Sequence, residues 1–552
     1  MLAVFAGLLV WVPALVGWGE AILPALLGGR LPEDDEASLA LTGLAGLFAL
    51  GALGVALNLL TGLGPALSTA AAIIGLALLL GSGVRPIRRL SLPDALALCG
   101  LLAVLALLAS GPIRDYDTAL YHLQAVAWTK AGPLPAGLAN LHRRFGFDSL
   151  WEPAAVLLEL PGMAGRSACL APSLTLFFLG TAAWSSGRKV VKGTAGAASL
   201  LLAFAVVPLA VLATNGSVPS LSTDLPAAVL TIVSAHFLLR PSPSRVERRA
   251  AATLAFFAVT VKLSAAVWLA AVLLAVRVFP PALAVGGIAW VLRGITLSGY
   301  LLYPAVATRL GSLPWATPAS IAREEALWVR SWARWPEHAP AEVLAGWAWL
   351  GPWAKWTLTR LSVLPLVLLL GAGIAGLLLG RGRASEESSG RPAALTLATA
   401  LASTLLWFWW APDPRFGYGA LFVLAALPLA VALPKLGLAA WSGRVRIVLA
   451  AALGASLTAA GAAVLLAGAG FRPAFLVPPD PPDPRLKAER TLDGDTVFVP
   501  VLDDRCWNAP LPCTPYFRRD LVILHDAAGR IRAFRFEPSV PAETRAPSAV
   551  PQ

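Results

Sequence analysis

Apolar runs of roughly 17–25 residues recur along this chain, and each is long enough to cross the hydrocarbon core of a bilayer as a helix. Hydrophobic residues make up 57% of the 552 residues and charged residues only 13%, whereas a soluble domain carries about 25% charged residues. This balance excludes a soluble enzyme, a disordered scaffold and a nucleic-acid binder. We therefore expect an all-α polytopic membrane protein.

The apolar runs predict a set of transmembrane spans. These are 2–18, 39–62, 66–83, 93–110, 166–184, 194–213, 223–239, 281–299, 358–380, 393–410, 417–434 and 446–469. A further apolar stretch covers 250–277, so the total is about 12–14 helices. The first span has neither basic residues ahead of it nor a small-residue cleavage pattern, so we expect a retained helix and not a signal peptide.

Basic residues between the spans predict the orientation of the chain, and they account for its net charge of +12. The short loops rich in Arg and Lys are 85–89, 188–192, 240–249, 381–391 and 435–446. The alternate short loops, 214–222 and 411–417, hold only Arg415. The basic loops are therefore predicted to be cytoplasmic, and the segments 111–165 and 300–357 and the C-terminal tail are predicted to lie outside.

The stretch 250–277 does not fit a single crossing. The basic loop before it and the start of the span 281–299 are both predicted to be cytoplasmic, so the chain must enter and return. As one helix this stretch is about 42 Å long, which is too short for two crossings. We expect two short or broken helices that meet near Lys262. Irregular backbone at that depth is tolerated where it is buried in protein or lines a wet cavity.

Ionisable residues cluster at or near the outer ends of the spans. They are Asp115, Asp117, Asp224, Asp413, Arg415 and Arg293, and Lys262 lies in the broken stretch. An ionisable group near the bilayer is costly, which makes it a functional candidate. We expect these residues to form one site at the outer membrane surface, supplied with a lipid-borne reactant.

The segment from Arg114 to Gly132 follows the span 93–110 and carries apolar residues at helical spacing. This pattern predicts an amphipathic helix lying on the membrane. Asp117 stands at its N-terminus, where an acidic residue is also a common helix cap. His122 follows Tyr121 directly, so on an α-helix it faces a different way from Asp117. His122 and His142 are acid/base candidates with an equally simple explanation as hydrogen-bonded structural residues.

Other candidates also have structural explanations, which the sequence leaves open. Asp224 precedes Pro226 as a helix cap would. Lys262 is alternatively a lysine that snorkels toward the headgroups. Arg143 and Arg144 are alternatively solvated charges beside anionic lipid.

Two further alternatives concern the later outer segments. Asp413 and Arg415 are close enough in sequence for a structural ion pair. The tryptophans of the outer loop are candidates for stacking on sugar rings, or for an interfacial aromatic belt. They are Trp315, Trp328, Trp332, Trp335, Trp347, Trp349 and Trp353.

The tail has a different composition from the rest of the chain. It begins with a Pro-rich linker at 478–484 and continues with β-like segments at 496–501, 521–525 and 531–536. Cys506 and Cys513 lie close together in it, which suggests a disulfide if the tail faces an oxidising compartment. We expect a transmembrane module over 1–470 and a small β-containing extracytoplasmic cap over 471–552.

A spacing in the first outer loop resembles a known family. Asp117, Tyr121, Ala125 and Gly132 stand at intervals of four, four and seven residues, as in the GT-C superfamily, which includes protein O-mannosyltransferases and lipid A aminoarabinose transferases. Segments similar to an uncharacterised bacterial branch of that superfamily are 116–151, 222–226, 262–264, 298–300, 303–304 and 506–515. Leu301 departs from the pattern, which has proline there. The resemblance covers about residues 93–520.

The resemblance implies a GT-C-like fold and a glycosyltransferase of a bacterial inner membrane. Such an enzyme moves a sugar from a polyprenyl-phosphate-linked donor to a cell-envelope glycan, lipid or protein on the extracytoplasmic face. By this carry-over Asp117 is the general base, with Asp115 and Asp224 as further catalytic carboxylates. Lys262 is the leading phosphate ligand. The other substrate-binding candidates are Arg293, Tyr121, His122, Arg143, Arg144, Asp413 and Arg415.

Three points stay open at this level. A divalent cation such as Mg²⁺ or Mn²⁺ is compatible with Asp115 and Asp117 if their loop is extended. A transporter or flippase of a lipid-linked saccharide is an alternative, although transporters place charge near the midplane and are built from paired halves, which we do not find. A polysaccharide polymerase or ligase of another fold is a further alternative.

Overall fold

The structure is a computed structural model. It describes residues 1–536 apart from 382–389, 438–440, 446, 448–473 and the single positions 33, 89, 164 and 281. The chain is mostly helical, with a small β region at its C-terminal end. The predicted span 446–469 lies outside the described residues, apart from residue 447.

Seven helical segments of the described part are long and apolar enough to cross a membrane. They are Leu2–Leu27, Ser38–Asn58, Leu92–Ala109, Ser167–Lys192, Ala197–Thr214, Gly390–Trp410 and Pro414–Lys435. Shorter apolar helices are Pro65–Gly81, Asp224–Leu239, Leu263–Val276 and Leu364–Leu379. The helical membrane architecture expected from the sequence is thus found, with seven spans of full length in the described residues.

The N-terminal helices pack through their backbones. They are α1 (Leu2–Leu27), α2 (Ser38–Asn58), α3 (Pro65–Gly81), α4 (Arg85–Arg88) and α5 (Leu92–Ala109). A Cβ atom on Gly17 of α1 would lie 1.8 Å from the carbonyl oxygen of Gly75 in α3. A Cβ atom on Gly46 of α2 would lie 1.9 Å from the carbonyl oxygen of Leu15 in α1. Small residues at these crossings therefore allow the close approach that is common between membrane helices.

The segment 111–165, which is the first predicted outer loop, contains a π-helical turn, Thr118–His122, which continues into α6 (Leu123–Ala131). Two short helices follow, α7 (Leu138–Leu141) and α8 (Trp151–Leu157). The helix predicted here is present, and one side of it is packed inside the protein. Leu120, Gln124 and Trp128 are buried, because α8 and the C-terminal tail cover the helix.

The middle helices include the break predicted near Lys262. They are α9 (Leu170–Lys192), α10 (Ala197–Phe204), α11 (Val206–Thr214), α12 (Asp224–Leu239), α13 (Arg245–Val261), α14 (Ala266–Val276) and α15 (Ala282–Ser298). A Ser244–Glu247 capping box starts α13, which ends at Val261. Lys262 is extended, with φ −150° and ψ 120°, and a 3₁₀ turn over Leu263–Ala265 leads into α14. The predicted interruption of the helix is confirmed.

The later helices are α16 (Ala319–Trp332), α17 (Pro340–Leu344), α18 (Leu350–Leu358), α19 (Leu364–Leu379), α20 (Gly390–Trp410) and α21 (Pro414–Lys435). The start of α21 is fixed by its sequence. The Asp413 carboxylate accepts a hydrogen bond of 3.1 Å from the Arg415 backbone N–H, and Pro414 occupies the first turn. Because α12 packs against both α13 and α21, the beginnings of α12 and α21 lie beside the break at Lys262.

The tail forms two antiparallel hairpins. Their strands are β1 (Leu486–Arg490), β2 (Thr496–Pro500), β3 (Leu521–His525) and β4 (Ile531–Phe536). The small β region is confirmed, although the sequence did not indicate β1. Cys506 and Cys513 form a disulfide between the hairpins.

The tail is packed on the first outer loop. The Phe534 backbone N–H donates to the Ala136 carbonyl oxygen at 2.8 Å. Phe534 and Val497 share a buried apolar cluster with Trp128 and Phe145. The tail therefore helps to fix the segment that carries Asp117.

Candidate functional site

A cavity of about 730 Å³ lies where the first outer loop, the break at Lys262 and the starts of α12 and α21 meet. Its charged lining residues are Asp117, Arg144, Asp148, Glu152, Asp224, Lys262, Arg323 and Arg415. The remaining walls are largely apolar and include Ala227, Ala228, Trp268, Leu406, Trp407, Gly419 and Ala420. A polar end and an apolar extension thus belong to one cavity.

Asp117 is held between two guanidinium groups. Its Oδ2 atom lies 2.9 Å from Nη1 of Arg415, and its Oδ1 atom lies 3.3 Å from Nη1 of Arg144. Burial raises the pKa of Asp117, but Arg415 and then Arg144 outweigh burial and hold the pKa at about 2. The carboxylate is therefore ionised across the physiological pH range.

Asp224 and Lys262 form an ion pair at the same end of the cavity. The Arg415 Nε atom lies 4.0 Å from Oδ2 of Asp224, so one arginine faces two carboxylates. The Lys262 ammonium also lies 4.3 Å from the centre of the Phe416 ring. Asp224 begins α12, but the helix has no side-chain cap hydrogen bond, so the capping explanation for Asp224 does not hold.

The cap of the first-loop helix is Asp115 and not Asp117. The Asp115 Oδ1 atom accepts hydrogen bonds of 2.7 Å from both the backbone N–H and the hydroxyl of Thr118. Asp117 makes no such bond. Burial, and next the neighbouring Asp117 charge, raise the pKa of Asp115. Asp115 is not among the residues that line the cavity, so its predicted catalytic role has no support in this geometry.

The pair Asp115 and Asp117 does not fit a divalent cation. Both oxygens of Asp117 face arginines, and Asp115 is bonded to Thr118. No group of three or more His, Cys, Asp or Glu side chains in the described part of the chain is arranged to hold a metal ion.

Arg143 and Arg144 are not solvated charges. Glu325 of α16 is fully buried and lies 2.9 Å from the Nε atom of each. Arg144 lines the cavity, while Arg143 stacks on the Tyr516 ring of the tail at 4.3 Å and does not line it. The segment 300–357, which is the second predicted outer loop, thus holds Arg144 in place.

Asp413 and Arg293 lie outside the cavity lining. Asp413 is 2% exposed and pairs with Arg360 at 2.8 Å and with Arg415 at 3.5 Å, which favours the structural ion-pair explanation. Arg293 pairs with Asp148 at 2.7 Å. Asp148 does line the cavity, and burial raises its pKa to about 7 in spite of the Arg293 charge.

Tyr121 and His122 both line the cavity together with Asp117. The prediction that His122 faces a different way assumed an α-helix. In a π-helical turn each hydrogen bond joins residues five apart in the sequence, and not four as in an α-helix. Successive residues are therefore separated by a smaller angle about the axis, and positions 117, 121 and 122 lie on one side. The His122 Nδ1 atom lies 3.0 Å from Oε1 of Glu152.

The tryptophans of the second outer loop divide into two groups. Trp328 and Trp332 stack with their ring centres 5.1 Å apart and line the cavity, and Arg144 lies 4.5 Å from the centre of the Trp328 ring. The others named from the sequence do not line the cavity. Of the seven tryptophans named from the sequence, only Trp328 and Trp332 are therefore placed to face a ligand in the cavity.

The sequence did not single out Asp148, Glu152 and Glu325. Asp148 and Glu152 are four residues apart in the outer loop, a spacing that marks one face of a helix turn. Glu325 had no comparable signal, because its partners Arg143 and Arg144 lie in another outer loop.

Comparison with known families adds one assignment. The family model described as "Domain of unknown function (DUF8201)" matches residues 1–422. The chain belongs to the DUF8201 family. The match includes the charged cavity residues from Asp117 to Arg415 and ends before the tail with its disulfide. No curated protein and no solved structure matches this member of the family.

Proposed function

We propose that the protein is a membrane glycosyltransferase, which moves a sugar from a polyprenyl-phosphate-linked donor to a cell-envelope acceptor. One observation supports this most. Asp117, Asp224, Lys262 and Arg415 converge at the polar end of a cavity whose other walls are apolar. Such a cavity suits a ligand with an anionic head and a hydrocarbon tail.

Lys262 and Arg415 bind the donor phosphate in this proposal. Both are paired with carboxylates in the absence of a ligand, but each has further N–H donors, so a phosphate would share them with Asp224 and Asp117. The isoprenoid follows the apolar wall built from α12, α20 and α21, which includes Ala228, Leu406 and Ala420.

The chemistry is a displacement at the anomeric carbon. An acceptor hydroxyl oxygen forms a bond to that carbon, and the bond to the phosphate oxygen breaks. Lys262 and Arg415 stabilise the charge that develops on the departing phosphate in a site with little water. Asp117 accepts a hydrogen bond from the acceptor hydroxyl and keeps Arg415 in place.

The extracytoplasmic face of a bacterial inner membrane is the proposed location. Asp224 at the start of α12 belongs to the site, while the basic loop 240–249 follows the other end of the same helix. By the positive-inside rule the site then faces away from the cytoplasm.

The test is Asp117→Asn in protein purified into nanodiscs. Transfer is measured with a panel of tritiated polyprenyl-phosphate hexoses and pentoses and an envelope extract as the source of acceptor. We expect transfer to fall by about 100-fold or more, while binding of unlabelled polyprenyl phosphate stays within a few-fold of wild type. Asp493→Asn in an exposed turn of the tail is the matched control.

Two results would contradict the proposal. One is transfer by Asp117→Asn at the wild-type rate. The other is wild-type protein that moves the labelled lipid across a proteoliposome membrane without transferring the sugar, which would favour a flippase.

A further inference from the structure

His122 and Glu152 form a buried pair in the wall of the cavity. His122 is 2% exposed and Glu152 is 4% exposed, and both line the cavity. The Nδ1 atom of His122 lies 3.0 Å from Oε1 of Glu152. Nε2 of His122 makes no hydrogen bond to any residue that the structure describes.

This geometry selects one form of the neutral imidazole. A carboxylate beside Nδ1 favours the proton on that atom, because the carboxylate only accepts hydrogen bonds. The lone pair of a neutral ring is then on Nε2, the atom without a protein partner. The ring also packs on Tyr121, with the two ring centres 4.0 Å apart, and this contact restricts its rotation.

Asp117 is poorly suited to accept a proton. Arg415 and Arg144 engage its two oxygens and hold its pKa at about 2. A general base works best when its pKa lies nearer the working pH. Asp117 therefore orients the reactants more readily than it takes up a proton.

We propose that His122 is the general base of the transfer reaction, accepting the proton of the acceptor hydroxyl at Nε2, and that Glu152 positions its ring. This inference rests on the proposed function. The acceptor oxygen bonds to the anomeric carbon as its proton passes to Nε2, and the electron pair of the broken bond leaves with the phosphate. Glu152 stabilises the imidazolium that results.

The first test compares transfer by His122→Gln and Glu152→Gln in nanodiscs, with the tritiated donor panel. We expect each to lower transfer by about 100-fold while polyprenyl phosphate binding stays within a few-fold of wild type. His236→Gln is the matched control, because His236 is also fully buried but pairs with the Ala198 carbonyl oxygen and Arg240 away from the cavity. If wild type transfers sugar and His122→Gln does so at the same rate, the inference fails and the proposed function stands.

A second measurement does not depend on transfer. The chain has five histidines, so nuclear magnetic resonance of protein with isotope-labelled histidine resolves few signals, and the one lost in His122→Gln belongs to His122. At mildly alkaline pH we expect this ring to carry its proton on Nδ1, and Glu152→Gln to shift the proton toward Nε2 because a carboxamide can donate to Nδ1. A proton on Nε2 in the wild-type protein would overturn the assignment.

Discussion

Arg415 and Asp117 are 298 residues apart in the sequence, and their side chains meet at 2.9 Å. Each of the two residues lies at the N-terminal end of a helical segment, which fixes its position. Asp413 and Pro414 fix the beginning of α21, and Asp115 caps the turn that follows Asp117. The pair therefore joins the first outer loop to the end of the family match, and an anionic ligand that binds Arg415 shares this arginine with an existing carboxylate partner.

Replacing Arg415 should weaken phosphate binding. We expect Arg415→Gln to raise the Kd for polyprenyl phosphate by about 10- to 100-fold, because a charge-assisted hydrogen bond contributes about 1.5–3 kcal/mol. Scintillation proximity binding in nanodiscs gives the Kd. Arg530→Gln, at an exposed ion pair of the tail, serves as the control. Equal affinities for the two variants would remove Arg415 from the phosphate site.

The role of Lys262 in phosphate binding can be separated from its role as the partner of Asp224. Lys262→Met removes the nearest cationic partner of the partly buried Asp224 carboxylate and leaves, among the described residues, only Arg415 at 4.0 Å, so we expect a loss of about 3 kcal/mol in the free energy of unfolding. Lys262→Met combined with Asp224→Asn should recover much of that stability and still fail to bind polyprenyl phosphate. Thermal unfolding and the binding assay report the two properties separately. Recovery of binding in the double variant would show that Lys262 serves only to neutralise Asp224.

Much of the architecture could be predicted from the sequence because lipid imposes strict lengths. The break at Lys262 followed from an apolar stretch too short for two crossings. Of the seven ionisable residues expected to form one site, Asp117, Asp224, Lys262 and Arg415 line one cavity. The other three, Asp115, Asp413 and Arg293, lie outside its lining.

The errors concern local geometry and long-range partners. The prediction that His122 lies on another face assumes an α-helix, because a π-helical turn has no recognised sequence pattern. The cap that was the alternative explanation for Asp117 is made by Asp115, which bonds Thr118. Glu325 was missed because it acts on Arg144, which lies far away in the chain. Pairing between distant loops depends on tertiary packing, and one sequence carries little information about it.

Acid should lower the free energy of unfolding through protonation of Asp117. Folding holds its pKa at about 2, below the usual 3.8, so folding favours the ionised form. The resulting stability is complete above about pH 5 and is lost as the pH falls toward about 2, and it amounts to about 2 kcal/mol. The difference in unfolding free energy between wild type and Asp117→Asn should therefore shrink over that interval. A difference that stays constant from neutral to acid pH would contradict this.

The disulfide of the tail should stabilise the segment that carries Asp117. Between Cys506 and Cys513, the Trp507 backbone N–H donates to the Ala119 carbonyl oxygen at 2.8 Å, and Gln124 donates to the carbonyl oxygens of Trp507 and Ala509. We expect Cys506→Ser combined with Cys513→Ser to lower the free energy of unfolding of the tail by about 2 kcal/mol, because the unfolded chain is no longer restricted by a cross-link across this short loop.

Limited proteolysis measures this cost, with Cys99→Ser as the control because Cys99 is an exposed free thiol. The tail of the double variant should be cut faster, and transfer should fall several-fold as the first-loop helix loses its support.

The same pair of cysteines reports on the orientation of the tail, since a disulfide persists in an oxidising compartment and is reduced in the cytoplasm. Thiol labelling of wild-type protein in intact cells should thus modify Cys506 and Cys513 only after reduction. Labelling without reductant would place the tail, and the site beneath it, on the cytoplasmic side.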